Sequence, residues 1–455
     1  MSFQRYERYK DSGVEWLGEV PEHWEVKRVR HLLRQSYDGL KIGPFGSQLT
    51  SQMLASSGYR VFGQENVIAN DFTLGERFIS EDKFKELAVY EIKSGDILIT
   101  MMGTSGRCAI APDNIETGIM DSHLLRMRVT DGVRHRFIQL LIDESAYIAH
   151  QIRFLGKGSI MHGLNSSIIK ELVVTTPSIV EQDRILSFLN RETTKIDELI
   201  AEQQRLVELL KEKRQAVISH AVTKGLNPEA KMKDSGIEWL GEVPEHWQIF
   251  ALKRICDVRD GTHDTPEFLD QSDDCYPLIT SKDLIADQVI FEDVKYISKK
   301  DFDNISKRSG VNRGDILMPM IGSVGGAVIV ETDRQFSIKN IALFKKSKYF
   351  NAQWLQYLLN SRLAILQFEL EKSGGVQGFV GLGALRNLYF PIPLLNEQTI
   401  IANFLKHETT KLDTLTAEAQ RAIELLKERR TALISAAVTG KIDVRGLVAD
   451  KLVVE

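Results

Sequence analysis

At 455 residues, with 43% hydrophobic and 26% charged residues, the chain has the composition of an ordinary soluble globular protein and is too long for one core, so two to four domains are expected. A formal net charge of −4 argues against a blanket nucleic-acid binder, and any DNA contact must use locally clustered groups. Cys108, Cys256 and Cys275 form no C-x-x-C pair, the N-terminus lacks an apolar leader stretch, and the longest uncharged run, Ile316 to Val330, is broken by Pro319 and three glycines; a reduced, cytoplasmic setting with no membrane span is expected.

The first block of note is Lys10-Asp-Ser-Gly-Val-Glu-Trp-Leu-Gly-Glu-Val-Pro-Glu-His-Trp24. It returns at Lys233 to Trp247 with Val14/Ile237 the single difference in fifteen residues, which marks a duplicated unit. A polar, glycine-rich stretch follows, Lys41-Ile-Gly-Pro-Phe-Gly-Ser47-Gln48, and then Gln64-Glu-Asn66 after a predicted strand. Lys93 to Gly103 reads as a Gly-Asp turn entering a buried strand, followed by the turn Thr104-Ser105-Gly-Arg107 and a second strand at Cys108–Ile110. Short helices are predicted at 134–153, then a loop from Lys157 through His162 to Asn165.

From Pro177 to Lys224 the apolar residues Ile185, Leu189, Ile196, Leu199, Leu206, Leu210 and Val217 recur at alternating three- and four-residue steps. That spacing predicts a long helix, roughly 50 Å, with a coiled-coil seam. Pro393 to Gly440 matches it at 28 of 48 positions and keeps Ile401, Leu405, Leu412, Leu415, Ala422, Leu426 and Leu433 in register. Each such helix needs a partner, and the chain supplies an equivalent one; antiparallel pairing is the simplest arrangement.

Between the helices the first half is repeated with diverged loops. Asp260-Gly-Thr262-His263-Asp264-Thr265-Pro266 stands for the 41–48 stretch, and Ser281-Lys282-Asp283 for 64–66. Asn312 to Gly322, continuing to Ser323, stands for the Gly-Asp strand and its turn. A second strand at Ala327–Val330, helices at 351–371 and a loop reaching Gln377 complete the copy. The predicted fold class is therefore α+β, with two mixed α/β domains (1–176 and 226–392), two long helices (177–225 and 393–455, the latter with a tail) forming an antiparallel coiled coil, and an internal pseudo-twofold repeat.

Standard catalytic signatures are missing. No Pro-Pro pair exists, so the Asn/Asp-Pro-Pro-Tyr/Phe pattern of exocyclic-amine methyltransferases is excluded. There is no G-x-x-x-x-G-K-[ST] phosphate loop and no H-E-x-x-H metal pattern, and Phe154-Leu-Gly156-Lys-Gly158 reads as a loop. A single-chain methyltransferase or nuclease, or a purely structural adaptor, are the alternatives to a recognition protein. Two copies of an identical block suit one partner held twice, whereas diverged loops suit two different half-sites. Gln, Asn, Arg, Lys, Ser and Thr on glycine-rich loops are the groups that reach base edges and phosphates. Lys41, Ser47, Gln48, Gln64, Asn66, Thr104, Ser105, Arg107, Lys157, His162, Asn165, Thr262, His263, Asp264, Thr265, Ser281, Lys282, Ser323 and Gln377 are accordingly candidate DNA-contact residues. Trp16, Trp24, Trp239 and Trp247, with Leu189, Ile196, Leu206, Leu210, Leu405, Leu412 and Leu426, are candidate scaffold or partner-docking residues.

The doubled Asp-Ser-Gly-x-Glu-Trp-Leu-Gly-x-Val-Pro-x-His-Trp block, Gly-Asp-Ile-Leu at 95–98 and 314–317, the Asp260–Pro266 stretch, and Glu-Gln before a helix carrying Glu-Thr-Thr-Lys together resemble the specificity subunit of type I restriction-modification systems, over essentially the whole chain. The resemblance implies two target-recognition domains, each reading half of a split DNA site, on helices that dock two adenine-modifying subunits. It implies no catalysis, metal or cofactor on this chain. S-adenosylmethionine, ATP and Mg2+ would sit on the modification and motor partners. On duplex geometry, readers about 34 Å apart would leave a gap of about five to eight base pairs.

Overall fold

The computed structural model describes residues 3–34, 37–155, 164–272, 274–285, 287–322, 324–371 and 378–447. The candidates Lys157, His162, Ser323 and Gln377 lie outside the described residues. The chain divides into unit 1, Met1–Glu202 with Ala422–Glu455, and unit 2, Gln203–Arg421. The sequence expectation set the long helices apart as segments of their own. Instead each unit takes the opening part of one and the closing part of the other.

Unit 1 holds a four-stranded antiparallel sheet in the order Leu40–Ile42, Leu124–Met127, Ile97–Thr100, Cys108–Ile110. A three-stranded sheet places Phe78–Ile79, Tyr59–Phe62 and Gly118–Met120 side by side, the last pair parallel. Unit 2 repeats both sheets: Val258–Asp260, Ile341–Phe344, Ile316–Pro319 and Val328–Ile329, then Lys295–Ser298, Cys275–Ile279 and Ser337–Ile338. The Gly-Asp turns enter the central strands as expected, with Gly95 at φ +79° and Gly314 at φ +89°, a region glycine occupies without a Cβ clash. The predicted helical stretches appear as pairs, His135–Glu144 with Ala146–Leu155, and Ala352–Leu359 with Arg362–Glu371.

Two helices are far longer than the rest, α1 (Ile179–Lys224, 46 residues) and α2 (Leu395–Val438, 44 residues). At about 1.5 Å per residue they exceed 60 Å, more than the expected 50 Å. Their buried faces also differ from the heptad reading. Of the predicted seam Ile185, Leu189, Ile196 and Leu210 are buried, but Leu199 and Leu206 are 45% and 42% exposed, and Val207 is buried where Leu206 was expected. In α2 the buried series runs through Leu405, Leu412, Ala419 and Ile423, leaving Leu415 exposed and Leu426 half-buried. Within unit 1, Arg430 of α2 pairs with Asp197 of α1 (2.9 Å) and with Glu144 (2.6 Å). Within unit 2, Arg214 pairs with Asp413 (2.8 Å).

The duplicated block folds the same way in each unit. Tyr9–Asp11 pairs with Glu19–Pro21 in a hairpin, and Met232–Asp234 pairs with Glu242–Pro244. The next strand, Glu25–Arg28 or Gln248–Ala251, pairs with the strand just before a long helix, Val173–Thr176 or Tyr389–Ile392. Two polar contacts lock the block to the helix start: His23 to Glu181 (3.0 Å) and His246 to Glu397 (2.9 Å). The neighbouring glutamines are buried and span two backbones. Gln182 accepts from the Arg134 amide and donates to the Pro177 carbonyl; Gln398 does the same for Asn351 and Pro393. The repeated Glu-Gln pair and the repeated His-Trp pair are thus halves of one lock, which is why both recur.

Candidate nucleic-acid interface

In unit 1 the strand directions gather the polar loops at one end of the four-stranded sheet. Leu125 lies opposite both Ile42 and Ile99, and Ile99 opposite Cys108, so the chain leaves Ile42 and Thr100 and enters Cys108 and Leu124 on the same side. Hydrogen bonds tie these loops together. The Met101 amide donates to the His123 carbonyl (3.0 Å), the Leu164 amide to the Met101 carbonyl (2.8 Å), and the Met102 amide to Gln64 Oε1 (3.4 Å). Gly43 is required here, because a Cβ would lie 1.8 Å from the Asp121 carbonyl oxygen.

The structure sorts the unit 1 candidates. Ser47, Gln48, Thr104 and Ser105 are exposed and Gln64 is half-buried, all at this end. Gln48 already accepts from the Phe45 amide and the Tyr90 hydroxyl. Asn165 caps the helix Ser166–Glu171, accepting from the Ile168 amide (2.9 Å). Lys41 belongs to the edge strand, with its ammonium 3.8 Å from the Tyr37 ring centroid, so the polar loop starts at Gly43. Asn66 does not fit a DNA-contact role. It lies in a short helix, Gln64–Ala69, is 1% exposed, and spends its amide on the Gly63 amide and the Asp71 and Leu74 carbonyls. Arg107 is paired, its guanidinium 3.0 Å from Asp143.

Unit 2 builds the corresponding end with different side chains. Thr262 bridges to Lys339, the Asn340 amide donates to the Thr262 carbonyl, and the Val380 amide to the Met320 carbonyl. His263 lies between Asn340 Oδ1 (Nδ1, 3.0 Å) and Asp260 Oδ2 (Nε2, 3.0 Å), while Asp264 and Thr265 are exposed. A cleft of about 490 Å3 opens here, lined by Phe268, Ser281, Lys295, Gly322, Lys339 and Asn340. Lys282 and Ser281 are exposed beside Asp283, whose buried carboxylate accepts from the Thr280 amide and hydroxyl. Sequence reasoning missed His123, Lys295, Lys339 and Asn340. None sits in a repeat or a glycine-rich stretch, and only strand pairing brings them to the loops.

The four candidate tryptophans separate into two pairs. Trp24 and Trp247 are fully buried scaffold, and Trp247 Nε1 donates to Glu397 (3.1 Å). Trp16 and Trp239 remain 36% and 39% exposed, Trp16 against Phe154 (5.4 Å between centroids). Among the described residues, no group of three or more His, Cys, Asp or Glu could hold a metal ion, and no helix is long and apolar enough to cross a membrane.

The α+β module is duplicated, with a near-identical fifteen-residue block and a diverged polar loop end in each copy. The family described as "Type I restriction modification DNA specificity domain" matches residues 49–209 and 244–425, and the chain belongs to it. The chain is 24% identical over 457 residues to the type I restriction enzyme MjaVIII specificity subunit of Methanocaldococcus jannaschii, covering 98% of this chain and 99% of that protein. It is also 24% identical to the EcoBI specificity subunit of Escherichia coli, over 61% of this chain and 60% of that one. Its fold is similar to a chain from a structure of a type I restriction-modification complex (TM-score 0.68, 17% identity, covering 92% and 98%). The HsdS subunit of Thermoanaerobacter tengcongensis is also similar (TM-score 0.53, 16% identity, covering 93% and 98%). The chain is thus a type I specificity subunit, whose task is DNA recognition.

Proposed function

We propose that each unit reads one half of a bipartite DNA site through the loop end of its four-stranded sheet. The observation that carries this reading is the contrast within each unit: a scaffold block alike at fourteen of fifteen residues at Lys10–Trp24 and Lys233–Trp247, and loop sets at one common sheet end that share almost no side chains. Equal scaffolds hold one kind of partner twice, and unequal loops read two unequal half-sites.

The long helices are proposed as an antiparallel coiled coil that sets the spacing and docks two modification subunits. The ion pairs support antiparallel pairing: from Asp197 to Arg214 the first helix advances 17 residues, and from Arg430 to Asp413 the second retreats 17. Exposed leucines recur at equivalent positions, Leu199 with Leu415 and Leu209 with Leu425, and offer apolar contacts for such partners. On this reading the chain is cytoplasmic and non-catalytic. Methyl transfer to adenine with S-adenosylmethionine, and ATP- and Mg2+-dependent restriction, belong to its partners.

The test is a methylome of cells expressing this chain with its modification subunit. A split adenine-methylated motif is expected, and exchanging residues 40–165 for those of another specificity subunit should change one half alone. A continuous motif, or no methylation, overturns the proposal. Inserting Glu-Thr-Thr-Lys once into each long helix adds about 6 Å at about 1.5 Å per residue, so the gap should widen with both half-sites unchanged. A changed half-site with a constant gap would refute the ruler.

A further inference from the structure

Beside the loop end of unit 1 lies a cavity of about 690 Å3 whose lining includes Arg30, Arg34, Tyr37, Lys41, Ser166 and Lys170, four cations and no carboxylate. It runs along the exposed edge of the strand Leu40–Ile42, and so starts where that strand hands over to the 43–48 loop. On its other wall Ser166 directly follows Asn165, in the same loop cluster. The nearest acids are already occupied: Asp38 by Arg126 and Arg128, and Glu171 by Arg28 (2.8 Å) and Arg30 (2.7 Å). Arg34 and Lys170 are exposed, Arg34 donating from Nε to the Val129 carbonyl (3.3 Å), and Lys41 is held over the 83%-exposed Tyr37 ring.

Among the described residues, the edge of the corresponding sheet in unit 2 is built differently. Eight residues separate the short helix ending at His31 from the edge strand in unit 1, against three after Arg254 in unit 2, so Arg34 and Tyr37 come from an extra segment. The cations that remain on the unit 2 edge are engaged. Arg259 pairs with Asp257 (2.7 Å), Arg386 donates to the Val258 carbonyl (2.7 Å), and Lys253 donates to Asn387 (2.7 Å).

We infer that this cavity of unit 1 grips the phosphodiester backbone flanking its half-site, so that unit 1 carries the larger electrostatic share of DNA binding. The inference rests on the bipartite reading above. It also accounts for DNA binding by a chain of net charge −4, since the positive field is local. Phosphate contacts position the reader and carry no sequence information.

The test measures DNA binding against salt for the full chain with its modification subunit, comparing wild type with Arg34→Ala/Lys41→Gln/Lys170→Ala. Each phosphate neutralised contributes about 0.9 to the slope of log K on log salt, so the triple variant should lose about 2.7, with the methylated motif unchanged. The charge-retaining Lys41→Arg/Lys170→Arg variant should keep the wild-type slope, which separates lost charge from lost folding. An unchanged slope in the triple variant, or an altered half-site, overturns the inference. If the wild type itself methylates no split motif, the bipartite reading fails instead, and slopes on non-specific duplex still report on the cavity. Exchanging chloride for inorganic phosphate at equal ionic strength should leave affinity unchanged; selective competition would identify a free-phosphate site and refute backbone binding.

Discussion

Cys108 and Cys256 are buried, and burial raises both thiols, Cys256 to about 12, because a thiolate is poorly solvated there. Cys275 is half-exposed beside the Ser272 hydroxyl. Alkylation of the native protein at neutral pH, followed by peptide mass spectrometry, should modify Cys275 first, with Cys108 and Cys256 reacting only on unfolding; early labelling of Cys256 would contradict its placement. Gln398 gives a stability prediction. It is 1% exposed and satisfies the Asn351 amide and the Pro393 carbonyl, so Gln398→Ala leaves two buried backbone groups unpaired. At about 1–3 kcal/mol for each such group, the urea midpoint of unit 2 should fall clearly while unit 1 is little affected. Equal midpoints would show that the glutamine is dispensable. The polar type of Asn66 and Arg107 was visible in the sequence, but their hydrogen-bond partners were not. A polar side chain in a loop-like stretch reads the same whether it points at solvent or caps its own backbone, and only the fold decides.

At the scale of elements, periodicity carried the long helices and composition carried the Gly-Asp strands, because both signals are local. What local signals could not carry was the contact line of α1 and α2. The buried set takes Val207 in place of Leu206 and returns to the heptad line at Leu210, fourteen residues after Ile196, while Leu199 is left exposed. The consequence is a division of labour among the leucines. Val207→Asp places a charge on the buried line and should destabilise the protein markedly in thermal unfolding. Leu199→Gln and Leu209→Gln alter exposed positions and should change stability by less than about 0.5 kcal/mol. If these leucines dock modification subunits, the same two substitutions should weaken co-purification of that partner. Loss of helix stability from Leu199→Gln would instead restore the heptad line.

At the scale of the whole molecule, the repeat has a cyclic character that neither block reveals alone. Block Lys233–Trp247 follows α1 directly and packs on its end: a Cβ on Gly225 would lie 3.3 Å from the Trp247 ring. Block Lys10–Trp24 occupies the same place at the end of α2, where a Cβ on Gly440 would lie 2.3 Å from Pro21 and 3.1 Å from Trp24. Tyr9 donates to the Gly440 carbonyl (2.9 Å), and the Asp443 amide donates to the Gln4 carbonyl (2.8 Å). The scaffold contacts of the two blocks therefore repeat, and the connection Leu226–Glu229 at the end of α1 is exposed. A circular permutant follows from this. Joining residue 447 to residue 3 through a short glycine-serine linker and opening the chain between Asn227 and Pro228 preserves every hairpin, both long helices and both His–Glu locks. Loop openings of this kind cost little when no buried backbone is cut. The permutant should fold with a thermal midpoint within a few degrees of the native chain, and with its modification subunit it should methylate the same two half-sites at the same gap. Folding with loss of one half-site would show that the covalent order, and not the closed set of scaffold contacts, positions the reading loops.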